Sequence, residues 1–190
     1  MFAWQICKGN KIPLIFLLLL TQCGKTPGSE GYVSWVQSYE SGMHVKKEEN
    51  GLVIDVQYQP SEYVWMQRHG SFDKNLFEKD QTELDQIQYF KLSISTSANQ
   101  DIVAARAGTE SEKQRLLYYL SYLFQNDITL AQGDKVVPCV LFHFERNGTG
   151  GSPTFNIGFE NKMKGEGNVE LKINSEQLNE MPIVVKIKKS

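Results

Sequence analysis

The fold class this sequence predicts is α+β: an antiparallel sheet or sandwich of six to eight strands with two or three helices packed on it. Three observations predict it. Short segments early in the chain alternate apolar and polar residues with a period of two, residues from about 60 to 130 change to helical spacing, and the chain after Val136 returns to an aromatic-rich alternation.

Taken in order, Tyr32 to Tyr39 alternates loosely and reads as a first strand, closed by a turn at Ser41-Gly42. The turn pair Asn50-Gly51 opens a second strand, in which Leu52, Ile54, Val56 and Tyr58 share one face. Pro60 has a φ preset for the first turn of a helix, so a short helix through Tyr63 to Met66 follows. Asp73 to Gln88 places Leu76, Phe77, Leu84 and Ile87 on one side and acidic residues on the other, a second helix. Phe90, Leu92 and Ile94 alternate with Lys91, Ser93 and Ser95, which is a strand with one wet face.

The longest helix is expected from about Asp101 to Gln125, broken near Gly108, with Ser111 as a second candidate cap. Leu116, Leu117, Leu120, Leu123 and Phe124 form its core stripe, and Tyr118, Tyr119 and Tyr122 fall largely outside it. Either the tyrosine hydroxyls reach water from a helix sandwiched in the fold, or the rings form a face for a partner. Beyond Val136, Val140, Phe142 and Phe144 and then Phe155, Ile157 and Phe159 mark two aromatic strands of a hairpin. Strands at Val169, Leu171, Ile173 and at Ile183, Val185, Ile187 complete an expected four-strand meander.

The N-terminus carries a different kind of signal. Lys8 and Lys11 precede an apolar run, Ile12 to Leu20, that is too short to span a bilayer, and this order is that of a secretory leader. Leu20-Thr21-Gln22-Cys23 then resembles the lipobox of bacterial lipoproteins, with Gln22 in the place of the small residue commonest there. The resemblance implies lipidation of Cys23 and cleavage just before it: residues 1–22 as signal peptide, 23–31 as a Gly/Pro/Ser/Thr-rich flexible tether, and 32–190 as a single domain. Gly24, rather than Asp, after the Cys is similar to the pattern of lipoproteins sorted to the outer membrane. A phosphate loop at Gly24-Lys25-Thr26 is excluded, because Leu19 stands where its first glycine must be.

Charge and side-chain chemistry narrow the function classes. The chain has 20 basic and 22 acidic residues, and the leader takes Lys8 and Lys11 with it, so no basic footprint for nucleic acid is left. The lysines at 162–164 and 186–189 read as solvated strand ends. Of three cysteines only Cys139 belongs to the domain, which excludes a disulfide framework and suits a buried structural thiol.

His143 and Glu145 lie two apart on one strand face and are weak metal candidates, short of the donors zinc needs. The loop Asn147, Gly148, Thr149, Gly150 and Gly151 is a candidate binding loop, since its glycines let backbone approach a ligand; the simpler reading is a strand connection. No serine sits in a nucleophile elbow and no cofactor motif is present. The expectation is an envelope-anchored lipoprotein with a non-enzymatic binding or scaffolding role toward an envelope protein or glycan. The alternative is an envelope hydrolase or metal-dependent enzyme built around His143 and Glu145.

Overall fold

The computed structural model describes residues 26–146, 152–162 and 167–189. It shows α1 (Tyr32–Gln37), β1 (His44–Glu49), β2 (Leu52–Gln59), α2 (Ser61–His69), α3 (Lys74–Leu84), β3 (Ile87–Thr96), α4 (Ile102–Arg106) and α5 (Glu110–Tyr118). A π turn (Tyr119–Leu123) and a 3-10 turn (Phe124–Asp127) lead into β4 (Ile128–Gln132), β5 (Lys135–Glu145), β6 (Thr154–Glu160), β7 (Gly167–Ile173) and β8 (Ile183–Lys189). All strand pairings are antiparallel, in the order β1-β2-β3-β6-β5-β4-β7-β8.

This is one sheet curled almost into a barrel, rather than the sandwich the sequence also allowed. Its two edge strands meet at a seam. The Lys188 amide donates to the Gly42 carbonyl at 3.0 Å, and the Lys47 ammonium reaches across from β1 to the Val184 carbonyl of β8 at 2.9 Å. Gly42 adopts φ +75°, and a Cβ on it would stand 3.1 Å from that of Lys188, so both its backbone and the close approach call for glycine. Curling the sheet this way protects edges that would otherwise invite another strand.

The inward faces of β2, β3, β6, β7 and β8 carry the apolar residues expected from alternation: Leu52, Ile54 and Val56; Phe90, Leu92 and Ile94; Phe155, Ile157 and Phe159; Val169, Leu171 and Ile173; Ile183, Val185 and Ile187. They form one core with residues from the β3–β4 connection, in which Ile102, Val103, Leu120 and Phe124 close one mouth. At the other mouth Tyr32, Val36, Met43 and Tyr63 pack together under Tyr58. The interior is filled with side chains, as a small barrel requires.

Several expectations are corrected. Residues 32–37 form a helix instead of a strand, because Tyr32 and Val36, four apart, are the buried pair while Val33 is exposed. The long helix is broken into α4, α5, a wide π turn and a tight 3-10 turn, and a strand, β4, follows where none was expected; five α-helices stand among the described residues instead of two or three. The hairpin of β5 and β6 is present, with Phe142 opposite Ile157 and Phe144 opposite Phe155. The four-strand meander is not: β6 pairs with β3, and β4 inserts between β5 and β7. Lys189 is not solvated either. It is 8% exposed and donates to Oε1 of the buried Gln88 at 2.9 Å.

In the segment expected to be a tether, residues 26–31 turn back on the domain. The Ser29 amide donates to the Thr26 carbonyl, and Gly28 lies against the Phe72 ring.

The strand β5 serves both halves of the sheet by means of a bulge. Its first residues pair with β4; the register then slips between Cys139 and Leu141, and the remainder pairs with β6. Gly158 makes this fit. A Cβ there would lie 2.8 Å from Ile87 Cγ2 and 3.0 Å from Leu141 Cβ, so Gly158→Ala should cost about 1–3 kcal/mol by overpacking. Urea unfolding should show a lower midpoint at constant m-value, and Ile87→Ala in the same chain should narrow the difference that Gly158→Ala makes.

Candidate functional site

The sequence-predicted positions come out unevenly. Cys23 and the loop residues 147–151 lie outside the described residues. The loop's stems are firmly held: the Pro153 carbonyl accepts from the Ile94 amide at 3.1 Å, and Arg146 pairs with Asp101, the buried cap of α4, at 2.5 Å. His143 and Glu145 do share the outer face of β5, with Nε2 3.6 Å from Oε1, but the imidazole is 68% exposed and the carboxylate accepts from Asn156 at 2.8 Å. Among the described residues no group of three histidine, cysteine or carboxylate side chains is placed to hold a metal ion. The Cys139 thiol is pushed up by burial and donates to the Leu141 carbonyl at 3.1 Å. It stays protonated at neutral pH and is a structural thiol.

A more developed site lies on the β3–β4 connection. α5 begins with a capping box: Thr109 Oγ1 accepts from the Glu112 amide at 3.3 Å, and Glu112 Oε2 accepts from the Thr109 and Gly108 amides at 2.9 Å each. Those bonds, the Thr109 amide first, hold the Glu112 carboxyl below its ordinary range.

At its other end α5 widens into the π turn, a feature frequent at functional sites. Leu120 and Phe124 turn fully inward, and the Phe124 ring centroid lies 5.0 Å from that of Phe155 and 6.3 Å from that of Phe142. Outward stand Tyr118, Tyr122 and Leu123, which are 58%, 64% and 44% exposed, with the two tyrosine rings 5.2 Å apart. Tyr119 points sideways. Its hydroxyl donates to Asp127 Oδ2 at 2.5 Å and meets Ser175 Oγ, and desolvation followed by the Asp127 contact raises its pKa.

Between this ledge and the β7–β8 connection opens a cleft of about 640 Å³, lined by Arg106, Arg115, Leu116, Tyr119, Leu123 and Gln177 among others. Arg106 Nη1 donates to the Gln177 carbonyl at 3.0 Å, which fixes the guanidinium at the cleft wall. The described lining contains neither histidine, cysteine nor serine; besides the arginines its titratable groups are Glu112 and the tyrosines. What the cleft offers is binding chemistry: forked cationic donors, aromatic rings and aliphatic wall. Of two smaller clefts, the one of about 400 Å³ beside Tyr89 holds a single arginine, Arg68, and the one of about 390 Å³ beside Met181 holds no aromatic ring.

Sequence reasoning singled out Tyr118, Tyr119 and Tyr122 but missed Arg106, Arg115 and Gln177. The four-residue spacing of Tyr118 and Tyr122 off the apolar stripe was a usable signal. The arginines sit either side of the break near Gly108, and only the fold brings them to one cleft.

Two outcomes follow from these contacts. Tyr119→Phe removes the hydroxyl that satisfies buried Ser175 and half-buried Asp127, and should cost about 1–3 kcal/mol in denaturant unfolding. Because the folded Glu112 titrates below its unfolded value, its capping contribution is complete above the usual carboxylate range and is lost as pH falls through the lowered value. Glu112→Gln should therefore flatten the acid side of the thermal-midpoint profile and leave its neutral-to-basic side parallel to the parent.

Comparison of the chain with protein-family models, with curated proteins and with solved structures finds no match. The functional reading accordingly rests on geometry and chemistry alone.

Proposed function

We propose that this chain is a lipid-anchored protein of the bacterial cell envelope whose barrel presents the α5–π-turn ledge and its cleft to a partner. One observation carries the reading: Tyr118, Tyr122 and Leu123 stay exposed on a turn whose other side is locked into the core. Keeping three large apolar side chains in water beside cationic forks suits a recognition surface, where tyrosine and arginine are the residues that most often dominate binding. The role is binding or scaffolding, and an envelope protein or glycan is the partner class.

The anchor belongs to the same proposal. Lys8, Lys11, the apolar run and Leu20-Thr21-Gln22-Cys23 support export, lipidation of Cys23 and retention at the outer membrane. Several acyl chains at Cys23 hold a protein on a bilayer stably where a single chain binds marginally. No helix among the described residues is long and apolar enough to cross a membrane.

Both halves can be tested in a two-membrane bacterial host. Cys23→Ser should abolish palmitate labelling and outer-membrane recovery; normal labelling would refute the anchor. A photo-crosslinking residue at Tyr122 should capture a discrete envelope component that the same residue at exposed Lys79 does not. Equal capture from both positions would refute the ledge as a binding surface.

A further inference from the structure

We infer that the cleft beside α5 seats the carboxylates of an acidic polypeptide segment, an assignment that rests on the reading of this ledge as a binding surface. The observation behind it is a local reversal of charge. The chain as a whole is formally −2, yet two guanidinium groups line this one cleft. Arg115 has no ion-pair or hydrogen-bond partner among the described residues. Arg106 spends one nitrogen on a neutral carbonyl, which leaves its charge without an ion pair among the described residues. Glu112 is the acidic residue of the lining; it attracts Arg115, but its Oε2 is held by the Gly108 and Thr109 amides and it offsets at most one of the two positive charges. The cleft is thus an electropositive recess in an acidic protein, and planar forks of this kind bind carboxylates in pairs of parallel hydrogen bonds.

The remaining lining decides between sources of negative charge. Ala107, Leu116 and Leu123 are aliphatic, and Tyr119 offers a ring but no free hydroxyl. Inorganic phosphate would leave these walls wet. An acidic glycan would set rows of hydroxyls against these aliphatic walls, where only Gln177, Glu112 and the Tyr118 hydroxyl at the margins could accept from them. A peptide that alternates glutamate or aspartate with apolar residues meets both halves of the lining, and about 640 Å³ holds a few such side chains. The exposed Tyr118 ring lines the cleft, and Tyr122, 5.2 Å from it, extends the apolar contact beyond.

The test uses the full chain in detergent and a fluorescein-labelled, capped octapeptide alternating glutamate and leucine, followed by anisotropy. The glutamate peptide should bind at least about tenfold more tightly than its glutamine counterpart, and more weakly as salt rises. Arg115→Gln, which breaks no hydrogen bond or close ion pair among the described residues, should lose about tenfold, and Arg106→Gln a similar factor, with Arg106→Lys intermediate because it keeps charge but loses the fork. Tyr122→Ala should weaken both peptides alike.

Equal affinity for the two peptides, or an Arg115→Gln protein that binds as the parent does, overturns the proposal. Tighter binding of an oligogalacturonate or of inorganic phosphate than of the glutamate peptide overturns the polypeptide assignment. If the peptide fails while position 122 still crosslinks to an envelope component, the carboxylate assignment alone falls. If the crosslink fails as well, the binding-surface reading falls with it.

Discussion

The packing of Phe124 against Phe142 and Phe155 is the contact on which the rest of the molecule turns. It lies where the β3–β4 connection enters the mouth of the barrel, and with Tyr119 at 5.9 Å it forms an aromatic cluster that locks a helical turn to two strands. Offset and tilted ring pairs add about 0.5–1.5 kcal/mol each beyond the area they bury, so this cluster is a strong local tie. The same turn that sends Leu120 and Phe124 inward has no choice but to send Tyr118, Tyr122 and Leu123 outward. Core and surface are two faces of one constraint.

A filled barrel determines where recognition can happen. With Leu, Ile, Val and Phe occupying the interior and helices over both mouths, a ligand cavity of the kind found in wider barrels has no room. The outer wall and the connections must carry the chemistry, and connections held on a rigid scaffold are where binding residues concentrate. The cleft fits that logic: one wall is α5, and the other is the β7–β8 connection, which Arg106 and Tyr119 tie back through Gln177 and Ser175.

Much of the strand content was legible in the sequence, and much of the topology was not, for reasons visible in particular residues. Leu52 to Tyr58 and Phe90 to Ile94 alternate cleanly because each faces a single core, and the β5–β6 hairpin announces itself by aromatic pairs. Residues 32–37 misled because Tyr32 and Val36 meet the core at four-residue spacing within a segment too short to show a period. β4 is five residues long and falls between the end of the expected helix near Gln125 and the strand pattern that begins at Val136, too short to show a period of its own. Strand order depends on partners far apart in sequence, such as Leu130 with Leu171 and Phe90 with Ile157, and local pattern holds no record of them. The cleft was half legible: the tyrosines departed from the stripe, whereas the arginines took meaning only from the cleft they share.

The seam between β1 and β8 also sets an order of events. The two strands that complete the curl come from opposite ends of the domain, and the Gly42–Lys188 hydrogen bond spans nearly its whole length. Contacts of such sequence separation carry a large loop-closure entropy and slow the search for the native state. A chain emerging from its N-terminus first can pair β1, β2 and β3 early, but β3 waits for β6 and the interior stays open until β8 arrives. The barrel is therefore a late-closing structure, whose seam cannot form until the last strand has joined the first.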